Sequence, residues 1–279
     1  MTLGVTAAVL AAALLHATWN ALIKASRDVV FDTALVVAGA ALVAALLLPW
    51  LAAPATPSWP YLAASAVVHQ GYFALLAAAY RRGDLSFAYP LMRGLPPLLV
   101  ALGGIVLLPD PRSAWLWSGV AAISLGVLSI GGLHPRQLLT RMRPAAFAVC
   151  NAFVIAAYTL IDGIGVRLSG SAVSYGLWLF FLTAWPYVGV ALWSRRASLG
   201  AHLRRHWWRG LLGGTLSIAA YLIALWAMTR APIAAVAALR ETSVIFAAVI
   251  GAWLLKEPFG RHRIFGACLV ALGIALLEI

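Results

Sequence analysis

The sequence predicts an all-α integral membrane protein of ten transmembrane helices, arranged as two inverted five-helix repeats. Three observations carry that expectation. Of 279 residues, 63% are hydrophobic and 10% are charged, with a mean hydropathy of +0.94, whereas a soluble domain carries about 25% charged residues. Lys and Arg alternate between rich and poor connections along the chain. The fourth and fifth of the predicted helices also align with the ninth and tenth, without a gap, at an offset of 147 residues.

A helix that crosses a bilayer needs roughly 20 apolar residues, and ten such stretches can be marked in order. Span 1 is Gly4–Lys24; its positive charges, Lys24 and Arg27, follow the apolar run instead of preceding it, so it reads as a retained helix and not a cleaved signal. Span 2 is Asp32–Ala53, closed by the proline-rich stretch Pro54–Pro60, and span 3 is Trp59–Arg81. Arg82-Gly83-Asp84 turns the chain into span 4, Leu85–Leu108, and Pro109-Asp110-Pro111 into span 5, Arg112–Gly132. Spans 6 and 7, Pro144–Arg167 and Ala172–Ser194, are divided by Gly170-Ser171. Spans 8, 9 and 10 are Trp207–Arg230, Ile233–Leu255 and Arg261–Glu278. Cys150 and Cys268 fall inside apolar spans and read as small core residues, neither a disulfide nor a metal pair.

The odd-numbered connections hold fifteen Lys and Arg and the even-numbered ones three. Basic loops stay cytoplasmic, which places both termini on the non-cytoplasmic side. The net charge of +12 is accounted for by these loops and their anionic lipid headgroups; no basic helix outside the membrane points to nucleic acid.

At the offset of 147, Arg93 falls on Arg240, Gly104 on Gly251, Asp110-Pro111 on Glu257-Pro258, Gly119 on Gly266 and Gly126 on Gly273. Coincidence at Arg, Pro and three Gly indicates duplication. The expected repeats are residues 1–135 and 144–279. An odd number of helices per copy makes the copies antiparallel, and the charges agree. The connection after span 2 carries no Lys or Arg, while its counterpart after span 7 is the most basic in the chain. Inverted repeats are a recurrent plan of secondary transporters, with the ligand site at their interface near the midplane.

The stretch Leu15-His16-Ala17-Thr18-Trp19-Asn20-Ala21-Leu22-Ile23-Lys24, the junction Leu254-Leu255-Lys256-Glu257-Pro258-Phe259-Gly260 and the Gly-spaced last span (Gly266, Gly273) resemble the drug/metabolite transporter superfamily, specifically its ten-helix EamA-type members. In the first half the sequence departs from the usual junction, with Asp110-Pro111-Arg112 in its place. The resemblance implies the ten-helix fold and export or exchange of small metabolites: amino acids, sugars, nucleotide sugars or organic phosphates. It implies a bacterial inner (cytoplasmic) membrane location and names no substrate.

Ionisable residues inside a span are costly and face a cavity or a partner. Arg93 and Arg240 lie eight and seven positions into spans 4 and 9, roughly 11–12 Å deep from opposite sides of a core about 30 Å thick. They should straddle the midplane. Guanidinium groups hold carboxylate or phosphate bidentately, so the pair could bind an anion. Alternatively the embedded acids Asp162 and Glu241 neutralise them. Glu241 neighbours Arg240 in sequence, and adjacent helical residues do not face each other. Asp162 sits towards the outer end of span 6, within reach of water or Arg167.

His16, Trp19 and Asn20 share a face of span 1; His69, Gln70 and Tyr72 cluster on span 3; Asn151, Tyr158 and Asp162 form a stripe on span 6; span 8 adds Tyr221 and Trp226. Together these suit an aromatic cavity with a few polar groups; singly, each is as well explained by helix packing. Trp50, Trp59, Trp115, Trp193, Trp207 and Trp208 read as interfacial anchors, and Gly210 with Gly214 as an internal close contact. His16, His69, Asp162 and Glu241 are candidates for proton coupling.

The expected function is secondary transport, as exporter or exchanger, of a small anionic or zwitterionic metabolite by alternating access. The alternative is export of hydrophobic cations, although span 1 lacks the acid that such four-helix relatives use. A non-transport interaction protein ranks lower. No phosphate-binding loop, metal-ligand spacing or nucleophile motif points to an enzyme, a cofactor or a metal. The expected partners are a small-molecule substrate and the lipid bilayer; the oligomeric state is open and compatible with a monomer.

Overall fold

A computed structural model describes residues 1–24, 29–82, 85–108, 110, 113–132, 141–195, 199–254 and 260–279. The basic connection around Arg136 and the Lys256-Glu257-Pro258 junction lie outside the described residues. The twelve described α-helices are α1 (Leu3–Lys24), α2 (Val29–Leu47), α3 (Trp59–Arg82), α4 (Leu85–Gly94), α5 (Pro96–Leu107), α6 (Ala114–Ile130), α7 (Met142–Leu168), α8 (Ala172–Arg195), α9 (Leu199–Met228), α10 (Ile233–Arg240), α11 (Ser243–Leu254) and α12 (Arg261–Glu278). They follow the ten expected spans in order, with spans 4 and 9 each divided in two.

Among the described residues, seven stretches are long and apolar enough to cross a membrane: Leu3–Ile23, Phe31–Trp50, Ala88–Leu107, Met142–Leu168, Ala172–Val190, Arg204–Met228 and Ile233–Ile250. The other three spans are helical but depart from that pattern for visible reasons. Span 3 carries Ser65, His69, Gln70 and a terminal Arg pair, span 5 is shorter, and span 10 opens on Arg261-His262-Arg263. The bundle turns apolar side chains outward as well as inward. Val67, Val106, Phe153, Val190 and Phe265 are exposed, as a surface bathed in hydrocarbon requires.

The two divisions have different local causes. In span 4, Pro96 and Pro97 have no N–H to give the carbonyls of Met92 and Arg93, and α4 ends at Gly94. Span 9 has no internal proline. There the hydroxyl of Thr242 donates to the Leu239 carbonyl at 2.7 Å, and the N–H groups of Glu241, Thr242, Val244 and Ile245 bond three residues back. Side-chain competition for helix carbonyls tightens and bends a helix in this way.

Packing between the halves is symmetric about the centre. Helix α3 lies on α7 as α9 lies on α1, and α2 lies on α9 as α8 lies on α3. The closest register is between α6 and α12. A Cβ added at Gly126 would fall 2.7 Å from the Gly266 carbonyl, and one at Gly119 2.9 Å from that of Gly273; the reverse holds for Gly273 against the Gly119 carbonyl, at 2.8 Å. Ile123 fills the space at Gly273, Val270 that at Gly126, Ile130 that at Gly266 and Leu277 that at Gly119. Every member of one set maps to the other by the 147-residue offset, so these two helices meet antiparallel across a local two-fold. Gly210 and Gly214 form a second close contact, against Leu35 and Gly39 of α2; as expected, it is internal.

Four expectations change. The helix of span 2 ends at Leu47, because Pro49 converts Leu48–Trp50 to a 3₁₀ turn. Helix α9 begins at Leu199, well before the apolar stretch, because hydropathy marks the lipid boundary and not the helix start. Cys150 and Cys268 are free but exposed, not core residues. Trp59 is an internal packing element: its ring meets Trp178 edge-on at 5.1 Å and its N–H donates to the Pro54 carbonyl.

Gly126→Ala and Gly266→Ala should each destabilise the protein by about 1–3 kcal/mol, the usual cost of overpacking. Gly189→Ala, which has open space around it, should leave the melting temperature in detergent unchanged.

Candidate functional site

Each divided span delivers an arginine to the last turn of its first half-helix, Arg93 in α4 and Arg240 in α10. A cation there offsets the partial negative charge of the unpaired carbonyls. From that common start the two diverge. Arg93 is 8% exposed and lies with its Nε 2.8 Å from the Oε2 of Glu241, itself 5% exposed. The approach is off the N–H axis, so neither atom gains a hydrogen-bond partner from it. A terminal guanidinium nitrogen of Arg93 donates to the Ser243 hydroxyl at 3.1 Å. Arg93 therefore joins α4 to the break of span 9. Glu241 serves the arginine of the other half and not its own neighbour.

Arg240 is half-buried. Its guanidinium lies over the ring of Tyr221, 4.8 Å from the centroid, a cation–π contact. Among the described residues no carboxylate pairs with it. The Tyr221 hydroxyl donates to Asp162 Oδ2 at 2.6 Å and the Tyr175 hydroxyl to Asp162 Oδ1 at 3.1 Å; the Ser65 hydroxyl lies 3.2 Å from His69 Nδ1. Asp162 is fully buried and is held by hydroxyl groups instead of water or Arg167, contrary to expectation. Arg167 instead forks onto Asp110 at 2.8 and 3.3 Å.

The predicted aromatic stripes converge. His69 stacks on Tyr158 at 4.2 Å, and Tyr72 meets Tyr158 edge-on at 6.0 Å. The Nδ1 of His69 lies 2.8 Å from the Ser65 carbonyl. His16 meets Trp19 edge-on at 5.1 Å, and the Trp19 indole N–H is buried without a partner. Asn20 turns its amide onto the His16 carbonyl at 2.8 Å, which makes it a helix-backbone contact. Asn151 is buried, its amide on the Met92 sulfur and its oxygen unpartnered. Trp226 stays apart, exposed at the end of α9 with Arg230 over its ring. Gln70 ties α3 to the Thr183 carbonyl of α8. Sequence reasoning missed Tyr175, Ser65 and Ser243; only Ser243 had a legible signal, as part of a Glu-Thr-Ser run inside an apolar span.

A polytopic helical bundle whose charged and aromatic groups meet at two interrupted spans belongs to the class of membrane transporters. Residues 142–279 match the EamA-like transporter family, and that match places the chain in this family, a membrane transporter of the drug/metabolite superfamily. No curated protein matches the sequence. Among solved structures, a crystal structure described only as that of a protein covers 99% of this chain and 98% of its own, with a TM-score of 0.75 and 15% identity; at that identity the likeness concerns the fold alone.

Glu241→Gln leaves the Arg93 charge buried and uncompensated, and should cost about 3–5 kcal/mol of stability. The double variant Arg93→Met, Glu241→Leu should recover most of that loss. Thermal unfolding of the purified variants measures both.

Proposed function

We propose that the protein is a secondary transporter, an exporter or exchanger, of a small anionic or zwitterionic metabolite. The ligand site lies at the seam of two repeats, residues 1–135 and 144–279, near the midplane. Arg240 carries this reading: it is a half-buried guanidinium at a helix break, resting on a tyrosine ring, with no carboxylate partner among the described residues. A ligand carboxylate or phosphate supplies the missing charge, bidentately. Trp19 Nε1 and Asn151 Oδ1 are further buried polar atoms without partners that a ligand would satisfy. His16, Trp19, His69, Tyr72, Tyr158 and Tyr221 form the walls. Arg93 is a structural cation held by Glu241.

Asp162 and Glu241 are the coupling candidates, and the protein works by alternating access of the two halves. We place it in the bacterial inner membrane with both termini outside, from the distribution of basic loops.

The test is a thermal-shift screen of purified protein against carboxylates, phosphates, zwitterions and hydrophobic cations. A ligand at 100 times its Kd stabilises the folded state by about 2.7 kcal/mol. Anions or zwitterions should raise the melting temperature, and Arg240→Ala should remove that rise. A screen answered only by cations, or a rise that persists in Arg240→Ala, would sink the assignment. Uptake of the identified ligand into liposomes, with and without a proton gradient, then assigns the coupling.

A further inference from the structure

Four helix ends meet at one face of the bundle around a single ion pair. Asp110 follows α5, Arg167 is in the last turn of α7, Met228 closes α9 and Ile233 opens α10. Arg167 uses all its nitrogens. Its Nε donates to the Met228 carbonyl at 2.8 Å, one terminal nitrogen donates to Asp110 Oδ1 at 2.8 Å, and the other donates to Asp110 Oδ2 at 3.3 Å and the Ala231 carbonyl at 3.0 Å. The Oδ2 of Asp110 also accepts the Ile233 backbone N–H at 3.0 Å, one of the unpaired donors of the α10 N-terminus. Two charged side chains thus bind the last carbonyl of α9, a carbonyl of the connection that follows and the first N–H of α10. Neither is fully shielded: the side chains are 27% and 18% exposed, so water reaches the pair from this face.

Beside Asp110 is a cavity of about 30 Å³ bordered by Ala101, Gly104, Asp110, Trp117, Pro232 and Ala234. It is the size of a water molecule and far too small for a metabolite. On this side α5 lies directly against α10, whose residues Ile233–Leu239 are all buried. Two-fold symmetry would pair α4 with α11 in the same way. Those helices are instead bridged by the length of the Arg93 side chain, reaching Ser243. The bundle departs from its own symmetry where this ion pair sits.

We propose that Asp110 and Arg167 form a gate latch: they hold α5 and α10 together, seal the central seam from this face, and must part before the seam opens there. The pair is a bidentate carboxylate–guanidinium contact reinforced by two carbonyls and one N–H, and its rupture frees all four helix ends together. The latch rests on the transport reading for its purpose, but its test requires no substrate.

Cys150 and Cys268 are replaced by alanine, and Ala234→Cys is introduced at the cavity beside Asp110. Arg230→Cys, exposed on the same face, is a separate marker showing whether spheroplasts or inverted vesicles present this face to a membrane-impermeant methanethiosulfonate. In that preparation Ala234→Cys should label slowly, and Asp110→Asn should accelerate labelling about tenfold, as a shift of the opening equilibrium by one decade. Arg167→Lys, which keeps the charge but loses the fork and the carbonyl bonds, should accelerate it as well. Labelling of Ala234→Cys that is unchanged by both substitutions, or faster only in the opposite preparation, would overturn the latch while leaving the anion site untouched. Failure of the ligand screen with accelerated labelling would overturn the anion reading and leave the latch standing.

Discussion

A charged group in the hydrocarbon core must bring its compensation with it, because neither water nor lipid tails can supply it. In this protein that constraint falls on Arg93. Its guanidinium sits where α4 ends, and Glu241, at the break of the other half's interrupted span, answers it. The ion pair therefore lies between the two halves and not within either. Buried pairs of this kind add little net stability, since desolvation consumes most of the attraction. What the pair does is fix where the broken ends of spans 4 and 9 lie relative to each other. The Ser243 hydroxyl contributes to the same alignment from the first turn of α11.

Arg240 sits at the matching place in the second copy and has a different fate. The residue that follows Arg93 is Gly94, which packs against Leu128, whereas the residue that follows Arg240 is Glu241. The second copy thus supplies the acid and the first does not, and that acid reaches across instead of back. Arg93 meets the acid, while Arg240 is set over a tyrosine whose hydroxyl is committed to Asp162. The difference between Gly94 and Glu241 gives the two arginines different surroundings. The two tyrosine hydroxyl groups on Asp162 complete the division, since they hold the carboxyl group without calling on either guanidinium.

The fold was legible because bilayer length, loop charge and the internal offset are properties of composition and spacing. The glycines of spans 5 and 10 were visible as a repeated motif, and their role as a mutual contact follows once the copies are antiparallel. Helical spacing reported that His69 and Tyr72 lie close together on span 3 and that Tyr158 lies on the stripe of span 6; it did not report that the two groups meet. Partner choice was not legible. That Glu241 pairs with Arg93 is a long-range contact that spacing cannot specify, and the depth of Asp162 depends on how Tyr175 and Tyr221 close over it. The break of span 9 was hidden because it owes nothing to proline; Thr242 produces it by taking a backbone carbonyl.

The α6–α12 seam has an implication for how such a chain could arise. Its glycine and large-residue positions interlock with an offset copy of themselves, so the surface is its own complement when one copy is turned over. A chain half this length would carry a face able to bind a second molecule inserted upside down. Such a half-length form would have to enter the membrane in both orientations to assemble. Fusing the halves fixes each copy's direction for good, and so permits the loop charges and the buried side chains of the two to drift apart.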